Sequence, residues 1–212
     1  MIEFLDIAQR SPEWYEARLG IPTASRFGSI MARGQGKMRR SYLTQLVAER
    51  LTGELQDTYD NHHMARGRRE EDAALDRYAI ANWDVELRRV GFVRMQLAGG
   101  WIGCSPDALV GGDGMAEVKC PMPARVIDTV LSGGVEHRPQ VQGGLWITGR
   151  AWCDLIIHNA DMRLEIIRVE RDAGYIAALA EEVQQFLTEL AAIEARFGDP
   201  QAVLRAQLEA SL

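Results

Sequence analysis

Hydrophobic and polar positions follow two different periods along this chain, and the changes between them outline its elements. The first third repeats with helical spacing. Ser11-Pro12-Glu13 offers a capping hydroxyl, a proline at the first helical position and an acid in the first turn. It predicts a helix to about Leu19, stopped by Gly20. Thr23-Ala24-Ser25 opens a second helix, to about Met31, and Arg33-Gly34-Gln35-Gly36-Lys37 reads as a flexible basic loop. Residues 41–51 form a third helix with Tyr42, Leu46, Val47 and Leu51 on one apolar stripe and Gly53 beyond it. Residues 54–63 are polar and irregular, and a fourth helix runs from Met64 or Arg69 to about Ala81.

The period then shortens to two. Residues 86–96 predict a long strand, 101–104 a second, 107–110 a third and 115–120 a fourth. Pro121 and Pro123 end that run, and 124–131 reads as a helix broken by Gly133-Gly134. Residues 138–148 are helical, with Gly143-Gly144 small enough to allow close packing. Strands follow at 151–159 and 163–170. Asp172 caps a long amphipathic helix to about Phe197, and a short helix closes the chain after Gly198-Asp199-Pro200. No repeat, linker or low-complexity tract interrupts this order. The expectation is one α/β domain over residues 1–212: a mixed central sheet flanked by helices, with its core at about 11–172 and C-terminal helices at about 172–212.

Chemistry concentrates in Ser105-Pro106-Asp107 and Glu117-Val118-Lys119, joined by the turn Gly111-Gly112-Asp113-Gly114. Glu117 and Lys119 stand two apart on a strand and so share a face, while Val118 points the other way, into a core. Two carboxylates aimed at one spot suit a hard divalent cation. An ammonium beside them can hold a phosphate oxygen or orient water. That is equipment for metal-assisted phosphodiester hydrolysis. On its own, the same pattern also describes a surface hairpin with polar neighbours.

Charge argues against nucleic acid at first sight, because the 212 residues carry a net −6. The acids are segregated, however: residues 170–212 hold eight against three arginines, leaving the remainder near neutral. Within that remainder Arg26, Arg33, Lys37, Arg39 and Arg40 crowd one segment and Arg66, Arg68 and Arg69 another, enough for local phosphate contact. Cys104, Cys120 and Cys153 are too few and too scattered for a disulfide framework or a zinc site. Adjacent His62 and His63 have no third partner and read as solvated loop. There is no secretory signal pattern and no membrane-spanning stretch, so a cytoplasmic protein is expected.

Four blocks, in order, carry a resemblance. They are Trp14 through Ser25, Gly67-Arg68-Arg69-Glu70-Glu71-Asp72-Ala73, Ser105-Pro106-Asp107 through Lys119-Cys120-Pro121, and Gln140-Val141-Gln142 with Trp146. Pro106-Asp107…Glu117-Val118-Lys119 matches the PD-(D/E)xK nuclease signature. The whole set resembles the lambda-exonuclease-like family, also known as YqaJ-type viral recombinases and alkaline exonucleases.

The resemblance implies a restriction-endonuclease-like core. It implies a 5′-to-3′ exonuclease acting on double-stranded DNA ends, releasing 5′-mononucleotides and leaving a 3′ single-stranded overhang. Implied partners are a single-strand annealing protein and further copies of the chain in a trimeric ring, with no membrane, in the host cytoplasm of a phage or prophage. Asp107 and Glu117 would hold one or two magnesium ions (Mg2+), or manganese in their place. Glu71 fills the family's additional acidic position in preference to Glu70, and the Val118 carbonyl completes the metal shell. Lys119 would activate water or stabilise charge, and both roles stay open. Gln140, in preference to Gln142, would hold Lys119 or the water. Arg18, Ser25 and Arg125 match a pocket for a terminal 5′-phosphate. Trp14 reads as a DNA contact or a core aromatic, and Arg33, Lys37, Arg39 and Arg40 as duplex-backbone contacts. Two rivals remain: an endonuclease of restriction or repair type, and a non-catalytic DNA-binding module on the same fold.

Overall fold

The computed structural model describes residues 1–32, 36–56 and 62–198, and the side chains of all these except 62–69. The final helix expected after Pro200 lies outside the described residues. The strands are β1 (Ile2–Leu5), β2 (Leu87–Arg88), β3 (Phe92–Leu97), β4 (Gly100–Cys104), β5 (Ala108–Val110), β6 (Gly114–Lys119), β7 (Trp152–Ile157) and β8 (Glu165–Glu170). The helices are α1 (Pro12–Arg18), α2 (Phe27–Met31), α3 (Lys37–Thr52), α4 (His62–Ala81), α5 (Pro123–Leu131), α6 (Arg138–Thr148) and α7 (Ala173–Phe197).

The local signals act as expected at most ends. The Ser11 hydroxyl accepts from Trp14 N at 3.3 Å and opens α1, and the Asp172 carboxylate accepts from Tyr175 N at 2.9 Å and opens α7. Two helix starts differ. α3 begins at Lys37, so Lys37, Arg39 and Arg40 lie on its first turn and not in a loop. His62 and His63 likewise open α4. The segment expected as one helix from Thr23 is a short 3-10 turn, Ala24–Arg26, followed by α2.

A five-stranded mixed sheet runs in the order β2-β5-β6-β7-β8, parallel only between β6 and β7. The parallel pair is joined through α5 and α6, as a crossover requires. A three-stranded antiparallel sheet, β1-β3-β4, lies beside it. The strand expected over 86–96 is therefore two strands in two sheets. The break falls at Gly91, where a Cβ would stand 1.9 Å from the Ile7 carbonyl oxygen. β1, which pairs Ile2–Leu5 with Phe92–Met95, has no counterpart among the sequence-based expectations.

Both faces of the large sheet are covered, so β6 and β7 are buried almost throughout. Met115, Cys153 and Leu155 point toward Phe27, Leu145 and Phe186 on one side. Ala116, Val118 and Ile156 point toward Ala74, Leu75 and Tyr78 of α4 on the other. On that second side the buried Asp154 accepts from the Tyr78 hydroxyl at 2.6 Å and from Arg168 at 2.5 and 3.0 Å. This network ties α4 to β7 and β8 and satisfies a charge that would be costly to bury alone.

Two groups of contacts fix the geometry of the functional face. Gly143 and Gly144 let α6 press onto the sheet and α2: a Cβ would fall 2.5 Å from the Phe27 ring at the first and 2.6 Å from the Met115 methyl at the second. Buried Glu49 accepts from Gly20 N at 3.0 Å, Arg50 donates to Gly20 O at 2.8 Å, and Tyr42 accepts from Thr23 N at 2.9 Å. α3 thereby holds both ends of the segment between Gly20 and Thr23.

Gly91 tests the split between the sheets. Gly91→Ala is expected to destabilise the fold by about 2 kcal/mol or more, because backbone must move. Gly112→Ala, where a Cβ meets nothing within 4 Å, is expected to stay within about 0.5 kcal/mol of the parent. Urea unfolding of the two variants checks both values.

Candidate active site

The hairpin β5–β6 delivers the acids. Asp107 precedes β5, and its amide donates to Ala116 O at 3.1 Å, which sets it across from β6. Its carboxylate accepts from the Val118 amide at 2.6 Å, so the strand holding Glu117 and Lys119 also orients Asp107. Glu117 and Lys119 project together toward α6, as the two-residue period requires. Lys119 Nζ donates to Glu117 Oε1 at 2.8 Å and to Gln140 Oε1 at 3.0 Å. Gln140 Nε2 donates to the same Glu117 oxygen at 2.5 Å, which closes a triangle of three side chains. Gln140 lies one turn before Gly143 and Gly144, whose missing side chains allow this approach.

Electrostatics set the protonation states. Burial pushes the Asp107 carboxyl well above its ordinary value, and the neighbouring Glu117 charge adds to the push; the Val118 amide and Lys119 only partly offset it. Burial alone would lower Lys119, yet Glu117, through charge and hydrogen bond, and then Asp107 and Glu71 raise it overall. In the cation-free site these charges favour the ammonium form. Burial, with Glu117 nearby, also drives the Cys104 thiol upward, so no thiolate nucleophile lines the cleft.

The donor set fits a divalent cation of the magnesium kind. Two hard carboxylates lie side by side in an enclosed site whose mutual repulsion a cation would relieve. Magnesium is commonly held by one or two carboxylates, with water and phosphate oxygens completing its shell. Among the described residues, no three His, Cys, Asp or Glu side chains close around an ion by themselves. Glu71 faces the same cleft but is ion-paired with Arg10.

The cleft, about 170 Å³, is lined by Glu117, Gln140 and Asp107 together with Arg18, Thr23 and Ser25. Arg18 lies over the Trp14 ring, 4.1 Å from its centroid, and donates to Ser105 Oγ at 3.3 Å. Among the described residues no carboxylate lies within ion-pair reach of it. Burial pulls its pKa below the ordinary arginine value, and Tyr42, Cys104, Glu49 and Tyr15 only partly offset it. The Thr23 and Ser25 hydroxyls, 3.2 Å apart, stand at the same end. This combination of a guanidinium and hydroxyls is chemically suited to an anion.

The remaining candidates divide. Trp14 is a wall of the cleft and not a core aromatic: its indole N–H donates to Gly91 O at 3.0 Å and Ser105 Oγ at 2.9 Å. Arg125 is exposed, paired with Asp128 at 2.8 Å, and does not line the cleft. Arg39 is engaged inside the molecule: it grips Glu189 with two hydrogen bonds of 2.6 and 2.9 Å and covers Phe186. A duplex-backbone role for Arg39 would require breaking that pair, while Lys37 and Arg40 are exposed on the same helix turn. Arg33 falls outside the described residues. Gln142 serves structure, donating to Glu170 O at 2.8 Å and accepting from Asp172 N at 2.9 Å. The Val118 side chain packs against α4, and its amide, not its carbonyl, makes the contact seen with Asp107.

Four residues escaped the sequence reading. Gln9 donates to Pro106 O at 3.1 Å and so braces the entry to Asp107. Ser105 accepts from both Trp14 and Arg18, a role that its place beside Pro106 could have suggested. His137, at the start of α6, is lowered by burial and then by the charge of Lys119. Arg10 pairs with Glu71, and nothing in its sequence neighbourhood announces that.

Comparisons with known proteins give one picture. The alkaline exonuclease LHK-Exo from Laribacter hongkongensis is 34% identical, with 92% of this chain and 100% of that one covered and a TM-score of 0.81. LHK-Exo in complex with dAMP matches at a TM-score of 0.84, with the same identity and coverage. A phage-related exonuclease from Haemophilus somnus shares the fold at a TM-score of 0.67 and 13% identity, covering 83% of this chain and 96% of its own. No curated protein sequence matches. The family described as the YqaJ-like viral recombinase domain matches residues 13–151. The chain belongs to the YqaJ-like viral recombinase domain family.

Proposed function

We propose that the protein is a magnesium-dependent exonuclease that degrades double-stranded DNA from its 5′ ends, releasing 5′-mononucleotides and leaving a 3′ overhang for recombination by strand annealing. One observation carries this reading: a single cleft is lined both by Asp107, Glu117 and Gln140, which Lys119 joins by hydrogen bonds, and by Arg18, Thr23 and Ser25, with no carboxylate among the described residues in ion-pair reach of Arg18. A nuclease cutting anywhere along a duplex has little use for a receptor that fits a terminal phosphate. The related alkaline exonuclease, which binds dAMP, supports a mononucleotide product.

Arg18 would grip the 5′-phosphate with paired hydrogen bonds, and Ser25 and Thr23 would add hydroxyl donors. Asp107 and Glu117, with Glu71 facing the same cleft, would hold magnesium, which when bound polarises the phosphoryl oxygen and acidifies water. Lys119, kept as an ammonium, would stabilise charge developing on the scissile phosphate. Gln140 would keep Lys119 and Glu117 in register. Lys37 and Arg40 offer sequence-independent contacts to the duplex. The annealing partner, a ring of three copies, a manganese substitute and a place in the host cytoplasm are supported by the family likeness. No described helix is long and apolar enough to cross a membrane.

The deciding experiment incubates linear and circular duplex DNA with and without magnesium. Linear DNA should shorten from its 5′ ends only with the ion, and circles should survive. Circles cut as fast as linear molecules would refute the reading. Arg18→Ala should slow digestion of 5′-phosphorylated ends by about 10- to 100-fold, the scale of a lost charge-assisted contact. Ends bearing a 5′-hydroxyl should change far less, and equal losses would reject the receptor.

Asp107 gives a stability test. Its pKa is higher in the fold than in the unfolded chain. The cation-free protein is thus favoured below the ordinary carboxylate range and loses that advantage as pH rises through the raised value. Asp107→Asn should remove this loss and raise the melting temperature in chelator near neutral pH, by about 2–4 °C for each kcal/mol recovered. Cleavage should fall about a thousandfold or more. Melting curves and digestion rates check the two effects.

A further inference from the structure

Arg10 is the one non-glycine residue with positive φ among the described residues, at +68°. Glycine takes that backbone conformation freely, whereas an arginine holds it only at a cost. Its neighbours fix the turn. Ser11 N donates to Ala8 O at 3.1 Å, and Gln9 reaches Pro106 O at 3.1 Å and Val90 O at 3.4 Å. The turn presents the Arg10 guanidinium to Glu71 on α4, and both side chains line the cleft. Glu71 acts electrically on both Asp107 and Lys119, so it belongs to the same charge cluster. The two guanidiniums of the cleft differ in kind. Arg18 has no carboxylate partner within ion-pair reach among the described residues, whereas Arg10 occupies Glu71, an acid that lines the same cleft as Asp107 and Glu117.

We infer that Arg10 is a resident counter-ion for Glu71, which a divalent cation must displace on entering the cleft. The inference rests on the cation reading of Asp107 and Glu117. A guanidinium and a cation compete for the charge of one carboxylate, so cation binding and loosening of Arg10 are thermodynamically linked. The pair weakens cation binding in the free protein. The strained backbone keeps the guanidinium within reach of the acid once the ion departs.

The test uses the full chain without DNA and Mn2+ alone, titrated by calorimetry. Arg10→Gly suits the backbone and removes the competitor. It should bind Mn2+ about three- to tenfold tighter than the parent, the range for losing a half-exposed ion pair together with a repelling charge. Arg10→Lys, which keeps the charge, should stay closer to the parent. Arg163→Gln removes an exposed positive charge beside Glu165 and should leave Mn2+ affinity unchanged. Equal or weaker binding by Arg10→Gly overturns the inference, as does an equal gain in Arg163→Gln, which would mark a net-charge effect. A parent that binds no Mn2+ defeats the cation reading and this inference together. A parent that binds through Asp107, with Arg10→Gly unchanged, defeats this inference alone.

Discussion

Repulsion between two enclosed carboxylates is the constraint on which the rest of the structure turns. Asp107 and Glu117 stand across from each other on one hairpin, Glu117 buried and Asp107 half-buried, and both line the cleft. Everything near them answers that negative charge. The Val118 amide donates to Asp107, Lys119 and Gln140 both donate to Glu117, and Arg10 covers Glu71. The site is thus built around a charge that its own residues offset only in part. A partly compensated anionic site is a suitable seat for a cation.

The scaffold supplies this arrangement from unrelated parts of the chain. α6 reaches the sheet because two successive glycines give up their side chains. The anion-receiving end is set by α3, whose Glu49, Arg50 and Tyr42 hold the backbone at Gly20 and Thr23. The Asp154 network anchors α4, the helix that carries Glu71, to the opposite face of the same sheet. Glu117, Lys119, Gln140 and Glu71 therefore sit on strands and helices, each with its direction fixed by a further contact.

What could be read in advance was local. The shared face of Glu117 and Lys119 follows from strand periodicity, the capping roles of Ser11 and Asp172 from side-chain chemistry, and the close packing at Gly143-Gly144 from size. What could not be read depended on distant partners. The strand expected across 86–96 splits because Gly91 meets Ile7, and β1 exists only through its pairing with β3. Arg39 looked like a free cation, yet Glu189, 150 positions away, takes it. Lys37 and Arg40 share that first turn of α3, where cations oppose the helix dipole and sequence gives no reason to start a helix. Arg10 was unreadable for a different reason: residue type does not reveal a left-handed φ.

β6 occupies the middle of the five-stranded sheet, with a ladder on each side. Fraying begins at sheet edges and termini, so the amides of this strand should open to solvent only when the domain unfolds as a whole. Glu117 therefore has no small local motion by which to move away from Asp107. Their electrical stress is borne by the entire fold, and filling the site with a cation would tighten regions far beyond the residues that touch it.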